Sequence, residues 1–471
     1  MSPRPREFKA SARGALDDAR LQSALAHIQA GFIAKRRQAI EAVGDFEALR
    51  RAGEAIRERA LAGLDEHLLL FEESITAQRG TVHWARTAAE ACEAVVEICR
   101  DAGAREIIKG KTMVGEEVGL NPALERAGIA VTETDLGEYI LQLADEPPSH
   151  IIAPAIHKTR RDIAGLFRAR HGETVPPDAD PAALVADARR VLRERFLGAD
   201  VGITGANFLV AREGAVVLVT NEGNGDLCAT LPPVHVVVAG IEKVVPDLDD
   251  AATLLRLLCR SATGQPITSY TSVFAGARRD TDADGPRAMH VVLVDNGRTE
   301  ILAGELREML RCIRCGACLN HCPVYGAVGG HAYGWVYPGP MGAVLTPLAL
   351  GLEEAGDLPN ASSLCGRCEA VCPVNIPLPR LLRELRRRQV EAGLAPRAGR
   401  WSLGLWAFAA RRPRLYAAVT RLAAGLLGRL GRRRGRLRRL PFARGWTAGR
   451  DLPAPEGETF QAAWRRRGGG P

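Results

Sequence analysis

Cys312-Ile-Arg-Cys315-Gly-Ala-Cys318-Leu-Asn-His-Cys322-Pro323, followed by Cys365-Gly-Arg-Cys368-Glu-Ala-Val-Cys372-Pro373, holds seven of the chain's eleven cysteines. The first run has the iron–sulfur spacing in which three cysteines hold one cubane and the fourth reaches a second. Two-residue gaps let a tight turn aim three thiolates at one cluster. The three-residue gap and the proline turn the fourth thiolate towards a neighbouring site. This crossing assigns Cys312, Cys315, Cys318 and Cys372 to cluster 1, and Cys322, Cys365 and Cys368 to cluster 2. The expected cofactors are therefore two iron–sulfur clusters, both 4Fe-4S, with a 3Fe-4S cluster 2 as the alternative. Spacing leaves open whether cluster 2 is a three-iron cluster or a four-iron cluster with a non-cysteine or open fourth position. Paired CxxC motifs also bind zinc, but seven ligands in this pattern suit two clusters better than two zinc ions. Thiols this dense in a long chain point to metal in a reducing compartment rather than to disulfides.

The chain has 471 residues, 46% hydrophobic and 25% charged, enough for several globular domains. Residues 1–9 are polar and basic, with no apolar run behind them. The most apolar late stretch, 401–430, is broken by Arg411, Arg412, Arg414 and Arg421. Neither a secretory signal nor a membrane span is expected. The expected location is cytoplasmic, with peripheral attachment at the inner face of a membrane as the variant. From Arg380 onward 23 Arg face 5 Asp and Glu, a net of +18 in a chain of net +8, so residues 1–379 carry −10. The basic character belongs to the tail.

Residues 1–75 read as a helical segment, with apolar residues at helical spacing through Leu21, Leu25, Ile28, Phe32 and Ile33 and again over 46–71. Residues 76–300 read as an α/β domain. Helical stretches such as 87–102 alternate there with β-branched runs at 106–108, 130–133, 215–220, 234–239 and 290–295, which favours a mostly parallel sheet. Cys92, Cys99, Cys228 and Cys259 in this region read as small buried hydrophobes. Residues 301–390 form the cluster domain, led in helically over 305–310 and led out over 378–388. Residues 391–471 are the basic C-terminal region.

Several stretches resemble one family. They are Lys109-Gly-Lys-Thr-Met-Val-Gly-Glu-Glu117, Glu133-Thr-Asp-Leu-Gly-Glu-Tyr139, the segment 148–158, Gly202-Ile-Thr-Gly-Ala-Asn207, Asn221-Glu-Gly-Asn224 and Gly240-Ile-Glu-Lys243. With Tyr333-Gly-Trp-Val-Tyr-Pro-Gly-Pro340 and the four-plus-three cysteine pattern, they resemble the lactate-utilisation (LUD) iron–sulfur proteins of LutB type. The tail adds 445–453 and Phe460-x-x-x-Trp464. The resemblance implies an α/β domain like those of NagB, RpiA and the CoA transferases, plus an all-α ferredoxin-like two-cluster domain. It implies an electron-transfer subunit in the oxidation of L-lactate to pyruvate, itself non-catalytic within an oxidoreductase complex. It further implies two partners, a LutA-like cysteine-rich protein and a LutC-like LUD protein. The segment 274–286 and the arginine run 432–439 depart from the family pattern.

No G-x-G-x-x-G sits between a strand and a helix, so no flavin or NAD site is expected. A relay role follows from the residues; the lactate comes from the resemblance. The alternative is a LUD-domain enzyme acting on a CoA-linked or phosphorylated metabolite, with structural or sensing clusters; no catalytic residue is assigned. Lys109 and Lys111 follow a predicted strand. Lys111, Thr204, Asn207 and Glu222 make a candidate anion pocket, against the reading that they only shape turns. His150 and His157 read as structural. Asp135 and Glu138 read as loop and helix-start residues rather than an acid–base pair. The tail reads first as a surface that docks acidic partners. Membrane-surface contact through Trp401, Leu405, Trp406 and Phe408 comes second, and no nucleic acid is expected.

Overall fold

The computed structural model describes residues 3–110, 112–172, 175–440, 447 and 450–468, with the side chains of 27–30 excepted. Lys111 lies outside the described residues. The chain forms two compact units, 1–387 and 388–471.

The described residues of the first unit contain ten strands: β1 (Gly80–Ala85), β2 (Glu106–Lys109), β3 (Ala130–Glu133), β4 (Val201–Thr204), β5 (Phe208–Val210), β6 (Ala215–Thr220), β7 (Val234–Gly240), β8 (Val244–Val245), β9 (Tyr270–Phe274) and β10 (Ala288–Val294). Six of them make a parallel sheet in the order β1-β10-β7-β4-β2-β3. Its central strand β7 reads Val-His-Val-Val-Val-Ala-Gly and is buried on both faces, the near-continuous apolar run that a helix-covered parallel sheet demands. The polar exception, His235, sits inside, with Nε2 2.8 Å from the Thr204 hydroxyl. Burial pulls its pKa down to about 3 and keeps it neutral. A second, four-stranded sheet runs β8-β5-β6-β9, antiparallel except between β8 and β5. The α/β domain and the helical cysteine segment are as the sequence predicts.

The N-terminal helices Ala19–Glu41, Phe46–Ala62 and Leu64–Ala77 do more than cover the sheet. Asp18 and Asp45 cap the first two through backbone amides of their first turns. From these helices Arg36 donates to the Val371 carbonyl at 2.8 Å and Arg50 Nε to the Cys372 carbonyl at 2.9 Å. Buried Arg57 donates to Val244 O at 3.0 Å and to Leu310 O at 3.1 Å. Glu54 receives Arg311 at 2.9 Å and Asn375 at 2.8 Å. At Val371 and Cys372 these guanidiniums satisfy carbonyls that the irregular cysteine loop leaves without helix or sheet partners. One apolar core runs through Phe8, Leu25, Ile56, Phe208, Leu319 and Leu382, joining the helical segment, the second sheet and the cysteine segment.

The helical lead-in over 305–310 takes the form of a 3-10 helix, Arg307–Arg311. Gly304, in extended backbone, ends the preceding helix Arg298–Ala303, and Cys312 is extended again, leaving room for only a short, tight turn. Further on, Gly330 lies against the loop at Ser149. A Cβ there would stand 1.7 Å from the Ser149 carbonyl oxygen, so only glycine permits this approach.

The second unit, described by itself, carries the helices Arg397–Ala410 and Pro413–Gly431, a two-stranded ribbon of Arg436–Leu437 with Leu452–Pro453, and the helix Phe460–Arg466. Trp401, Leu405, Trp406 and Phe408 are exposed, Trp401 by 81%. The Arg412 guanidinium stacks 3.7 Å from the Phe408 ring centre. Among the described residues no helix is long and apolar enough to cross a membrane.

Candidate functional site

The two cysteine runs fold alike. Gly316 (φ 72°) and Gly366 (φ 82°), both left-handed, open the short helices Ala317–Asn320 and Arg367–Ala370. Each glycine follows a cysteine that is itself preceded by a left-handed non-glycine residue, Arg314 (φ 58°) or Leu364 (φ 56°). Non-glycine residues adopt this region at a cost that a packed site must hold in place.

Cys312, Cys315, Cys318 and Cys372 line one small cavity, closed by apolar Met309, Ile313 and Met341. Backbone amides are directed at the sulfurs: Arg314 N lies 3.4 Å from Cys312 Sγ and Ile376 N 3.4 Å from Cys372 Sγ. Burial pushes the Cys318 thiol well above its ordinary range, and Cys315, Cys312, Cys372 and Cys368 push it further. Cys315 rises to about 12, by burial first and then through Cys372. Thiols crowded in this way are stable as thiolates only around a compensating cation, and four sulfurs around one small apolar cavity fit an iron–sulfur cubane. Cys322, Cys365 and Cys368 make the other group. Burial raises Cys368 to about 12, and Cys322 and Cys365 add to the rise. Cys365 is exposed, and its thiol is lowered by the Arg367 backbone amide and then by Ser363. Cys372 lines the same cavity as the first motif's triplet, and Cys322 and Cys365 both act on Cys368.

A second cavity, of about 230 Å³, opens at the carboxyl ends of β2, β4 and β7. Thr204, Asn207 and Glu222 all line it, so three of the four candidate anion-pocket residues come together, while Lys111 is outside the described residues. Each is already engaged. The Thr204 hydroxyl meets His235, Asn207 Oδ1 accepts from Val219 N at 3.0 Å, and Glu222 Oε2 accepts from Leu136 N at 3.2 Å. Lys109 is not in this cavity. It is fully buried and ion-paired to Glu116 at 2.6 Å and Glu133 at 2.9 Å.

The cations that do line the cavity, Lys243 and Arg314, were not singled out from sequence. Arg314 lies inside the first CxxC. It is mostly buried, with its guanidinium 4.8 Å from the Tyr337 ring centre and 3.4 Å from Glu242. It lines the cysteine cavity as well, as does Ile151. The two cavities therefore share a wall.

His150 accepts from Ile152 N and Ala153 N at one ring nitrogen and meets Asn320 at the other, a structural role. His157 and Lys158 both engage Glu146. Asp135 caps the helix Leu136–Ala144 through Gly137 N and Glu138 N. Cys99, Cys228 and Cys259 are buried and Cys92 partly so. Burial lifts Cys99 and Cys228 to about 12, which makes them inert.

Residues 68–294 match the LUD domain, 308–376 the 4Fe-4S dicluster domain, and 386–469 the C-terminal domain of lactate utilisation protein B. Lactate utilization protein B of Bacillus pumilus is 43% identical over 98% of this chain and 97% of its own. The chain belongs to the lactate utilization protein B family. The protein of that name from Geobacillus kaustophilus is 43% identical over 97% and 96% of the two chains. An Escherichia coli protein described as the uncharacterized electron transport protein YkgF is 41% identical over 98% and 96%. The cysteine segment of this family member is an iron–sulfur domain.

Proposed function

We propose that this chain is the iron–sulfur electron-transfer subunit of a system that oxidises L-lactate to pyruvate. In this reading Cys312, Cys315, Cys318 and Cys372 hold one cluster, and Cys322, Cys365 and Cys368 hold another. The observation that carries it is the placement of the two thiol groups. They adjoin through Cys318 and Cys368; one is walled in beside the LUD cavity, and the other reaches the surface at Cys365. Lactate gives up two electrons and two protons, and bound clusters supply one-electron carriage. The chain's own residues hold and insulate. Met309, Ile313 and Met341 keep water from the inner thiols, while Arg36 and Arg50 fix the carbonyls of Val371 and Cys372. The names of the relatives, one for lactate utilization and one for electron transport, support both halves of the reading. Its partners in this reading are a LutA-like cysteine-rich protein and a LutC-like LUD protein. The exposed Trp401, Leu405, Trp406 and Phe408, set among arginines, form the surface that docks them.

The test is anaerobic electron paramagnetic resonance of the cluster-loaded full chain with L-lactate, alone and with both partners. Reduction only in the three-protein mixture is expected. Clusters that stay oxidised in that mixture would refute the relay. Turnover of a CoA thioester by the chain alone would favour the enzyme alternative.

A further inference from the structure

The cavity at the carboxyl ends of β2, β4 and β7 is lined by a cation, Lys243, that makes no hydrogen bond or ion pair among the described residues; Glu242 and Cys312 act on it only at longer range. Lys243 follows β7, is 8% exposed and lines the cavity. Its neighbour Glu242 would be the natural partner, but Arg298 and Arg314 take that carboxylate. The Lys243 ammonium is left with no hydrogen-bond or ion-pair partner among the described residues. The cavity's own carboxylates do not supply one: Asp135 caps a helix and Glu222 accepts from Leu136 N. The Asn207 amide nitrogen likewise has no partner there, its oxygen being held by Val219 N. A desolvated cation without a partner is costly, and proteins keep one where a ligand completes it. Open parallel sheets bind ligands at this end of the strands.

We propose that this cavity binds a small carboxylate, with Lys243 and Asn207 as its direct donors and Arg314 as the wall between it and the cysteine cavity. A dry cavity of about 150 Å³ accepts benzene, so about 230 Å³ suits an acid of a few carbons. That the acid is a 2-hydroxy or 2-oxo acid rests on the relay reading; the carboxylate site itself does not.

The test is calorimetric titration of the cluster-loaded, oxidised full chain with pyruvate, L-lactate, propionate and inorganic phosphate in turn. No electron transfer is involved, so failure here leaves the relay standing. Pyruvate or L-lactate is expected to bind more tightly than propionate, and phosphate at least about tenfold more weakly than either. Lys243→Met is expected to weaken carboxylate binding roughly ten- to a hundredfold, the worth of one charge-assisted hydrogen bond. Lys243→Arg is expected to retain most of the binding. Lys243→Met removes an unpaired buried charge, so its iron content and thermal unfolding should be no worse than wild type. No binding at millimolar acid, unchanged affinity in Lys243→Met, or a preference for phosphate would each overturn the proposal.

A separate observation concerns the missing eighth ligand. Superposed by their left-handed residues and short helices, the two runs place Cys315 with Cys365, Cys318 with Cys368 and Cys322 with Cys372. The position of Cys312 then falls on Ser362. The match extends to hydrogen bonding. Leu364 N donates to Ser362 Oγ at 3.1 Å, as Arg314 N donates to Cys312 Sγ at 3.4 Å. We infer that Ser362 Oγ is the fourth ligand of the cluster held by Cys322, Cys365 and Cys368. Iron analysis with Mössbauer and electron paramagnetic resonance spectra tests this. The wild type is expected to carry about eight irons and no three-iron signal. Ser362→Ala should lose about one iron and show that signal, and Ser362→Cys should keep about eight with altered spectra. A three-iron signal already present in the wild type, or wild-type spectra in Ser362→Ala, would rule the serine out.

Discussion

Glu242→Ala is expected to lower the unfolding free energy by about 3–5 kcal/mol, the usual cost of leaving buried charges without their counterpart. Glu242 is 1% exposed and ion-paired to both Arg298 and Arg314. Arg298 has a second partner in Glu117 at 2.8 Å, which also accepts from the Tyr337 hydroxyl at 2.6 Å. Among the described residues Arg314 meets no other carboxylate, so it bears most of the loss. The same network predicts acid sensitivity. Burial alone would raise the Glu242 carboxyl, but Arg298, Arg314 and Lys243 outweigh it and hold the pKa at about 2. A depressed folded-state pKa gives stability that is full above the unfolded value of about 4.3 and is lost as pH falls towards 2. Urea unfolding of wild type and Glu242→Ala at neutral pH, repeated at pH values down this window, checks both statements. The gap between the two proteins should narrow as pH falls. A neutral-pH difference under about 1 kcal/mol would mean that water already serves the two guanidiniums.

The cysteine arrangement was legible because ligand spacing is a local property. A turn of fixed length aims thiolates whatever surrounds it, so the proximity of Cys372 to the first motif's triplet could be anticipated without coordinates. The sheet was legible for a similar reason: β7 is too uniformly apolar to face water on either side. The carboxylate cavity was only half legible. Thr204, Asn207 and Glu222 stand beside strand ends, where pattern reasoning looks. Lys243 and Arg314 reach the same cavity from β7 and from the cysteine loop, and nothing in sequence says that these two segments meet. Lys109 shows the converse error to which such reasoning is open. It has the right residue type at a strand end, but Glu116 and Glu133 consume its charge. The signal that was available for Lys243 is the run Gly240-Ile-Glu-Lys243, where adjacent opposite charges directly follow a buried strand. Ser362 is invisible to a count of cysteines, whereas the register of the whole repeat exposes it.

Cys318→Ala is expected to remove the inner cluster, leaving about four of about eight irons, or to convert it to a three-iron form with about seven. Either outcome should cut electron transfer from the donor by more than about a hundredfold, since a relay with one station missing must cross a longer gap. Cys318 is the informative position because its thiol lies among Cys315, Cys312 and Cys372 and also near Cys368. A change there tests the boundary between the two groups. The backbone should survive. Residue 318 is inside the short helix Ala317–Asn320, where alanine is favourable, and the surrounding core of Leu319, Tyr337 and Leu382 is untouched. Cys228→Ala is the matched control. That thiol is buried but lies 3.3 Å from the Thr134 hydroxyl, away from both groups, and its loss should leave iron content at wild type. If Cys318→Ala retains the full iron content and both sets of spectra, the inner ligand set is wrong. If it loses the signals of both clusters together, Cys318 bridges the two groups rather than belonging to one, and the division between Cys372 and Cys322 must be redrawn.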